Sequence, residues 1–124
     1  MPAHKPEELE VLFVRAGNAG DIEGVIKLYE PAAALTIQPG QVVSGTKALR
    51  DALGGFLATK PRMTLGARTL AEAGGLALTT SKWMLEGTGP DGKPMKMEGQ
   101  SAEFARQQPD GTWLFVIDDP HGLQ

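Results

Sequence analysis

The spacing of apolar side chains changes once along this chain, close to Pro61. Before that proline, apolar residues recur every three or four positions, which is the spacing of one helix face. After it they alternate with polar residues, as they do along a strand with one buried face. Helices followed by consecutive strands are typical of an α+β domain with a largely antiparallel sheet.

Two helices and a short strand pair are predicted before residue 45. The first helix ends at the glycine-containing segment 17–20. Asp21 is a suitable N-cap for the second helix, which is expected to extend to Tyr29 and to stop before Pro31. A strand at 33–38, the turn signal Pro39-Gly40 and a brief strand at 42–43 follow. The helix stripes are formed by Leu9, Leu12, Phe13, Ala16, Ile22, Val25, Ile26 and Tyr29.

A third helix and four longer strands are predicted from residue 46 onwards. Thr46 is its expected cap, and its stripe includes Phe56. The strands are expected from residue 62, at 76–86, at 95–108 and at 113–119, with Gly74-Gly75 as the first turn. The last hairpin is expected to close through the two-residue loop Asp110-Gly111.

Composition excludes several classes of function. The chain has 124 residues, the size of one domain, and we treat 1–124 as a single unit. Because it contains no cysteine and only two histidines, His4 and His121, we expect no disulfides and no thiolate or His-rich metal site, although this composition does not exclude a carboxylate-rich one. We assign no metal ligands. Its net charge of −3 argues against nucleic-acid binding. No segment resembles a signal peptide or a membrane span, so a cytoplasmic location is expected.

Two carboxyl groups are predicted to face each other across the last hairpin. If Asp110 and Gly111 form the loop, Glu103 stands directly opposite Asp118. Opposed residues have Cβ atoms about 4.5–5.5 Å apart, so one of the two carboxyl groups should keep its proton at neutral pH. The alternative is that both face solvent, or that they pair with Arg62, Arg68 or Lys82; a three-residue loop would also break the pairing.

Several short segments resemble the nuclear transport factor 2-like superfamily, and most closely its small SnoaL-like and ketosteroid isomerase-like bacterial domains. These segments are 19–23, which opens the second helix, Leu28-Tyr29, Ser44-Gly45 and the hairpin 106–113. The resemblance implies a strongly curved, mostly antiparallel sheet wrapped around helices, with a cone-shaped apolar pocket. It also implies a homodimer through the outer sheet face, a small apolar or aromatic ligand and no cofactor. The superfamily includes both enzymes and binding modules, so the fold does not define the function.

The polar residues of a ketosteroid isomerase site are not all present. The position of its helix-one tyrosine corresponds to Phe13, which cannot donate a hydrogen bond. The position of its base corresponds to Gln38, or to Ile37 without an insertion. Only the position of its carboxylic acid keeps that type of group, as Glu103. The resemblance therefore implies no intact isomerase site.

The orientation of the last strands decides which residues reach the pocket. The resemblance places Glu103, Val116 and Asp118 on the pocket face, and Phe104, Trp113, Phe115 and Ile117 on the dimer face; the reverse orientation is the alternative, because an aromatic stripe is more often core. The expected ligand-binding residues are Phe13, Gln38, Phe56, Thr79, Ser81, Trp83, Met97, Ser101 and Val116. His121 either closes the mouth of the pocket or lies exposed in the tail.

Two functions are consistent with this sequence. The first is a binding module whose pocket holds a metabolite or is filled by side chains. The second is an isomerase, cyclase or dehydratase for a small apolar carbonyl compound, with Glu103 and Asp118 as catalytic residues. The pocket volume separates a filled cone from a ligand cleft, which typically measures about 300–1,000 Å³.

Overall fold

The computed structural model describes residues 2–122. Within these residues the chain forms three helices and a single six-stranded sheet. The helices are α1 (Glu8–Asn18), α2 (Ile22–Ile26) and α3 (Thr46–Leu57). The strands are β1 (Tyr29–Gln38), β2 (Gln41–Ser44), β3 (Arg62–Ala73), β4 (Leu76–Thr88), β5 (Pro94–Gln107) and β6 (Trp113–Asp119).

The sheet is curved, and the helices pack against its concave face. Its strand order is β2-β1-β6-β5-β4-β3, and every neighbouring pair is antiparallel except β1 and β6. Leu9 of α1, Val25 of α2 and Leu49 of α3 are almost fully buried in the same core as Trp113 and Phe115 of β6. The α+β architecture predicted from the change in periodicity is thus confirmed.

Local sequence signals explain most element ends. The Asp21 side chain accepts a hydrogen bond from the Gly24 amide at 3.0 Å, which confirms it as the N-cap of α2. Gly74 and Gly75 both have positive φ, as a tight turn between twisted antiparallel strands requires. The N-cap of α3 is Gly45 rather than Thr46, because the chain enters this helix through a positive φ of 92°.

The prediction that α2 extends to Tyr29 is wrong. The helix ends at Ile26, and Tyr29 is the first residue of β1, where it lies beside Phe115 of the parallel strand β6. The Phe115 amide donates to the Leu28 carbonyl at 2.7 Å. Pro31 also disfavours helical backbone at the residue before it. Pairing with β6 therefore makes Tyr29 part of the sheet, although the apolar spacing of this segment still fits a helix.

The last hairpin has a three-residue loop instead of the predicted two-residue loop. Gln108 donates its amide to the Thr112 carbonyl at 2.7 Å, so the loop is 109–111, with Gly111 in the left-handed region at φ 88°. This change alone would move the strand register by one residue. A bulge at Val116 cancels the shift, and Glu103 still pairs with Asp118.

The bulge also divides the face that was predicted for dimerisation. Trp113 and Phe115, which precede it, are buried at 3% and 2% exposure. Ile117, which follows it, is 43% exposed beside the 44% exposed Phe104. The predicted face of four residues is therefore wrong: two of them belong to the core and two to the convex sheet face.

No helix within residues 2–122 is both long and apolar enough to cross a membrane. The cytoplasmic location stays a prediction.

The two phenylalanines of this hairpin should respond very differently to truncation. Phe115→Ala should lower the free energy of unfolding by about 3–5 kcal/mol, because it leaves a cavity in the core. Phe104→Ala should change the stability of the monomer by about 0.5 kcal/mol or less, as at other surface sites. Urea unfolding of both variants is the measurement. Equal losses would contradict the bulge at Val116.

Candidate active site

A cavity of about 360 Å³ lies between the helices and the concave face of the sheet. We call it the main cavity. Its walls are mostly apolar, and its polar groups include Glu10, Ser101, Glu103 and Asp118. The apolar walls include Phe13, Leu53, Phe56, Met63, Leu65, Trp83, Leu85, Met95, Met97 and Phe115. Because its volume lies in the range of ligand clefts, the cone is not filled by its own side chains.

Seven of the eleven predicted site residues line the main cavity. They are Phe13, Phe56, Trp83, Met97, Ser101, Glu103 and Asp118. Gln38 does not line it, since its exposed side chain bonds Gln41 across the turn between β1 and β2. The preceding residue, Ile37, lines the cavity instead. The prediction that Gln38 is a ligand-binding residue is thus not supported by its position.

The other three predicted residues lie outside the main cavity. Val116 is displaced because it is the bulge residue of β6, where the alternation of faces is interrupted. Thr79 and Ser81 are buried beside the cavity rather than on its surface. Both donate their hydroxyl hydrogens to the Glu10 carboxylate, Thr79 at 3.1 Å. Their position is that of supports for an acidic group, not of ligand contacts.

Three buried carboxyl groups meet at one end of the main cavity. They belong to Glu10 of α1, Glu103 of β5 and Asp118 of β6, and we call them the carboxyl cluster. Their residues are only 8%, 3% and 7% exposed. Glu103 and Asp118 are adjacent across the strands, and Thr79 Oγ1 lies 3.1 Å from Glu10 Oε1 and 3.2 Å from Glu103 Oε1. The predicted pair is therefore part of a group of three.

Sequence reasoning missed Glu10 and Tyr29. Glu10 lies three residues before Phe13, and that spacing places both on one side of α1, facing the cavity. The acidic residue next to the apolar stripe of α1 was thus the sequence signal that could have indicated Glu10 as a cavity residue. Tyr29 was counted in a helix stripe, so nothing indicated that its hydroxyl would reach β6.

Tyr29 holds one oxygen of Asp118. Its phenol donates a hydrogen bond of 2.5 Å to Asp118 Oδ2, and both groups are buried. The ring packs on Phe115 at a centroid distance of 5.1 Å, which fixes its position. Donation by a phenol stabilises the carboxylate form of Asp118.

The different environments of Glu103 and Asp118 give the two carboxyl groups different pKa values. Burial, a hydrogen bond with Glu10 and the charge of Asp118 raise the pKa of Glu103 to about 11. Burial also raises the pKa of Asp118, but the Tyr29 hydrogen bond opposes this effect, and the value is about 6. At neutral pH the cavity therefore presents a neutral acid next to an ionised carboxylate.

The mouth of the main cavity is formed in part by the turn after β6. Trp83 Nε1 donates to the Pro120 carbonyl at 3.0 Å, and the His121 amide donates to Asp119 Oδ1 at 2.9 Å. These bonds place His121 among the lining residues. Of the two alternatives for His121, the structure thus supports the position at the mouth.

Residues 2–122 contain no group of three His, Cys, Asp or Glu side chains arranged to hold a metal ion. In the carboxyl cluster the Glu10 carboxylate accepts hydrogen bonds from the Thr79 and Ser81 hydroxyls.

The curved sheet, the enclosed helices and the cavity between them define a nuclear transport factor 2-like domain. More narrowly, the chain belongs to the SnoaL-like domain family, whose sequence model matches residues 12–119. No curated protein sequence is significantly similar to the chain.

Solved structures from several bacteria share this fold. An NTF2-like superfamily protein from Salmonella enterica is 17% identical with a TM-score of 0.80, over 90% of this chain and 84% of that one. A protein from Streptomyces avermitilis that is provisionally named a dehydratase is 17% identical with a TM-score of 0.79, over 91% of this chain and 90% of that one. One provisionally named a ketosteroid isomerase, from Shewanella frigidimarina, is 17% identical with a TM-score of 0.75, over 90% of each chain. At such low identity the likeness establishes the fold alone.

Glu103→Gln should make the stability of the protein less sensitive to alkali. A raised pKa means that the folded state keeps its proton to higher pH, so wild-type stability is lost as pH rises above the unfolded value of about 4.3. This loss of stability continues until the pH approaches the folded-state pKa of Glu103, about 11. The variant should gain up to about 1.4 kcal/mol over wild type per pH unit between about pH 5 and 9.

Urea unfolding across this pH range measures the difference between variant and wild type. Glu72→Gln, which changes an exposed carboxylate of β3, is the matched control and should show no such slope. A difference between Glu103→Gln and wild type that does not change with pH would contradict the raised pKa of Glu103.

Proposed function

We propose that this protein binds a small, mainly apolar carbonyl compound in the main cavity and acts on it by acid–base catalysis. Asp118 is the base, and Glu103 is the acid that donates a hydrogen bond to the carbonyl oxygen. The observation that carries the proposal is the pair itself: two adjacent buried carboxyl groups, one neutral and one ionised, at the end of an apolar cavity.

The proposed chemistry is a proton transfer next to a carbonyl group. Asp118 removes a proton from the carbon beside the carbonyl, while Glu103 stabilises the negative charge that develops on the oxygen. The Tyr29 phenol keeps Asp118 ionised and fixes Oδ2, which leaves Oδ1 as the oxygen that accepts the proton. The cavity walls hold the rest of the ligand through apolar and aromatic contacts.

This arrangement differs from that of a ketosteroid isomerase. Phe13 lines the cavity without a hydroxyl group. Of the two residues that can correspond to the base, Gln38 and Ile37, only Ile37 lines the cavity, and neither is a carboxylate. The base that we propose is on the last strand instead. The names given to the Streptomyces and Shewanella proteins are compatible with acid–base chemistry of this kind, but they do not identify the ligand.

A cavity that only binds an apolar ligand is the second candidate, and the apolar walls favour it. The carboxyl cluster argues for catalysis, because burying three acidic groups together lowers the stability of the fold. A binding pocket gains nothing from that cost, whereas proton transfer near neutral pH requires such groups.

Hydrogen exchange of a ketone tests the proposal. Phenylacetone is apolar, aromatic and small enough for the main cavity, and exchange of its α-hydrogens in D₂O is followed by NMR. Wild type should accelerate the exchange above buffer, and Asp118→Asn should lower this acceleration by about 10²-fold or more. Asp119→Asn is the matched control, because the new amide keeps the Oδ1 acceptor for the His121 amide. Equal rates for the two variants would contradict the role of Asp118.

We also propose that two copies associate through the convex sheet face. Leu78, Phe104 and Ile117 are direct cross-strand neighbours there and are 37–44% exposed, and we call them the convex stripe. An apolar row of this kind is typical of an interaction surface. A second copy is the occupant that fits it, because a two-fold dimer needs only one self-complementary patch.

Phe104→Glu should convert the dimer to a monomer by placing a charge in the middle of the convex stripe. Sedimentation should give about twice 13.1 kDa for wild type and 13.1 kDa for the variant. Val11→Glu is the matched control, because Val11 is similarly exposed but lies on α1. A monomeric wild type at micromolar concentration would contradict the proposed dimer.

A further inference from the structure

A second cavity of about 290 Å³ lies on the other side of the carboxyl cluster. Its lining residues are Glu7, Glu10, Arg68, Thr69, Leu70 and Thr79. Only Leu70 among them is apolar, whereas the main cavity is walled mostly by apolar and aromatic side chains. A cavity of this size with several polar partners has room for water and the groups to bind it.

The two cavities share a wall at Glu10. This carboxylate lines both of them, and Thr79, which lines the second cavity, donates to it at 3.1 Å. Thr79 Oγ1 also lies 3.2 Å from Glu103 Oε1, and a hydrogen bond with Glu10 helps to raise the pKa of Glu103. A group that enters the second cavity therefore meets Glu10 and Thr79, both within one contact of the proposed acid, without crossing the space that the organic ligand occupies.

We infer that the second cavity supplies water to the carboxyl cluster, and that water is a reactant or product at this site. The inference rests on the proposed function and narrows it to hydration and dehydration. The carbonyl compound enters through the apolar main cavity, and water enters or leaves past Glu10. An isomerase has no need of this second polar approach, because its substrate and product differ only in the position of a proton and of a double bond.

The addition of water to a carbonyl group illustrates the step. Glu10 takes a proton from the water, the water oxygen forms a bond to the carbonyl carbon, and Glu103 gives its proton to the carbonyl oxygen. The product is a geminal diol, which equals the carbonyl compound plus one water. The proton on Glu10 then returns to Glu103, directly or through the Thr79 hydroxyl, and the cluster is restored. Dehydration is the same step reversed.

Arg68 favours this assignment. Its guanidinium donates to the Glu7 carbonyl at 3.2 Å, which places a cation in the wall of the second cavity. A positive charge there favours the loss of a proton by water in the same cavity. Asp118 is not among the residues of this cavity. Glu10 is thus the base for water, and Asp118 the base for the ligand.

Oxygen exchange distinguishes this inference from the proposed function. Phenylacetone in H₂¹⁸O incorporates the label only through a geminal diol, whereas exchange of its α-hydrogens requires proton transfer alone. Wild type should accelerate both exchanges above buffer. Leu70→Trp, which fills the second cavity, should lower ¹⁸O incorporation at least about 10-fold and keep α-hydrogen exchange, since Leu70 does not line the main cavity.

Two further variants complete the experiment. Met84→Trp is the matched control, because Met84 is an exposed apolar strand residue outside both cavities, and its oxygen exchange should equal that of wild type. Glu10→Gln, with folding checked by circular dichroism, should lower oxygen exchange by about 10²-fold.

The outcomes separate the two ideas. Acceleration of α-hydrogen exchange without oxygen exchange overturns the role of water and leaves the proposed function intact. Oxygen exchange that Leu70→Trp leaves unchanged overturns the route through the second cavity. Absence of both exchanges overturns the proposed function together with the inference.

Discussion

The juxtaposition of Glu103 and Asp118 is the constraint on which the rest of this site depends. Two carboxyl groups that are buried side by side cannot both be ionised without a large cost. The two groups have different surroundings: Tyr29 donates to Asp118, while burial and a hydrogen bond with Glu10 raise the pKa of Glu103. The result is a pair of cross-strand neighbours with widely separated pKa values, which is the arrangement that the proposed proton transfer requires.

The support of this pair comes from elements that are distant in sequence. Glu10 is on the first helix, Tyr29 starts the first strand, and Thr79 and Ser81 belong to β4. Each contributes a side chain that the concave face brings to the same end of the main cavity. The cluster therefore depends on the curvature of the sheet as much as on the two strands that carry the pair.

The two sides of the carboxyl cluster differ in polarity. The main cavity offers apolar and aromatic walls, which favour an organic ligand, and the second cavity offers charged and hydroxyl groups. Glu10 lies between them. A site built in this way can bring an apolar molecule and water to the same acid without mixing the two environments.

The order of helices and strands could be predicted from the sequence, because apolar periodicity and turn residues are local properties. Asp21 and Gly74-Gly75 act on their own neighbours, so their roles were readable directly. The Glu103–Asp118 pairing was predicted from a two-residue loop, but it is present because a longer loop and the bulge at Val116 cancel. Neither irregularity has a distinct signal in the local pattern.

What only the tertiary structure decided is which side chains reach the cavity. The bulge turned Trp113 and Phe115 inward, and the contact with β6 made Tyr29 a strand residue. Gln38 lies outside the main cavity because β1 ends there in a turn, where the Gln38 side chain bonds Gln41. These outcomes depend on long-range register and packing, which outweigh local preference when the two disagree. The sequence by itself determined the order of the elements, the carboxyl group of Glu103 on β5 and the absence of a tyrosine at position 13, because these depend on local pattern and residue identity.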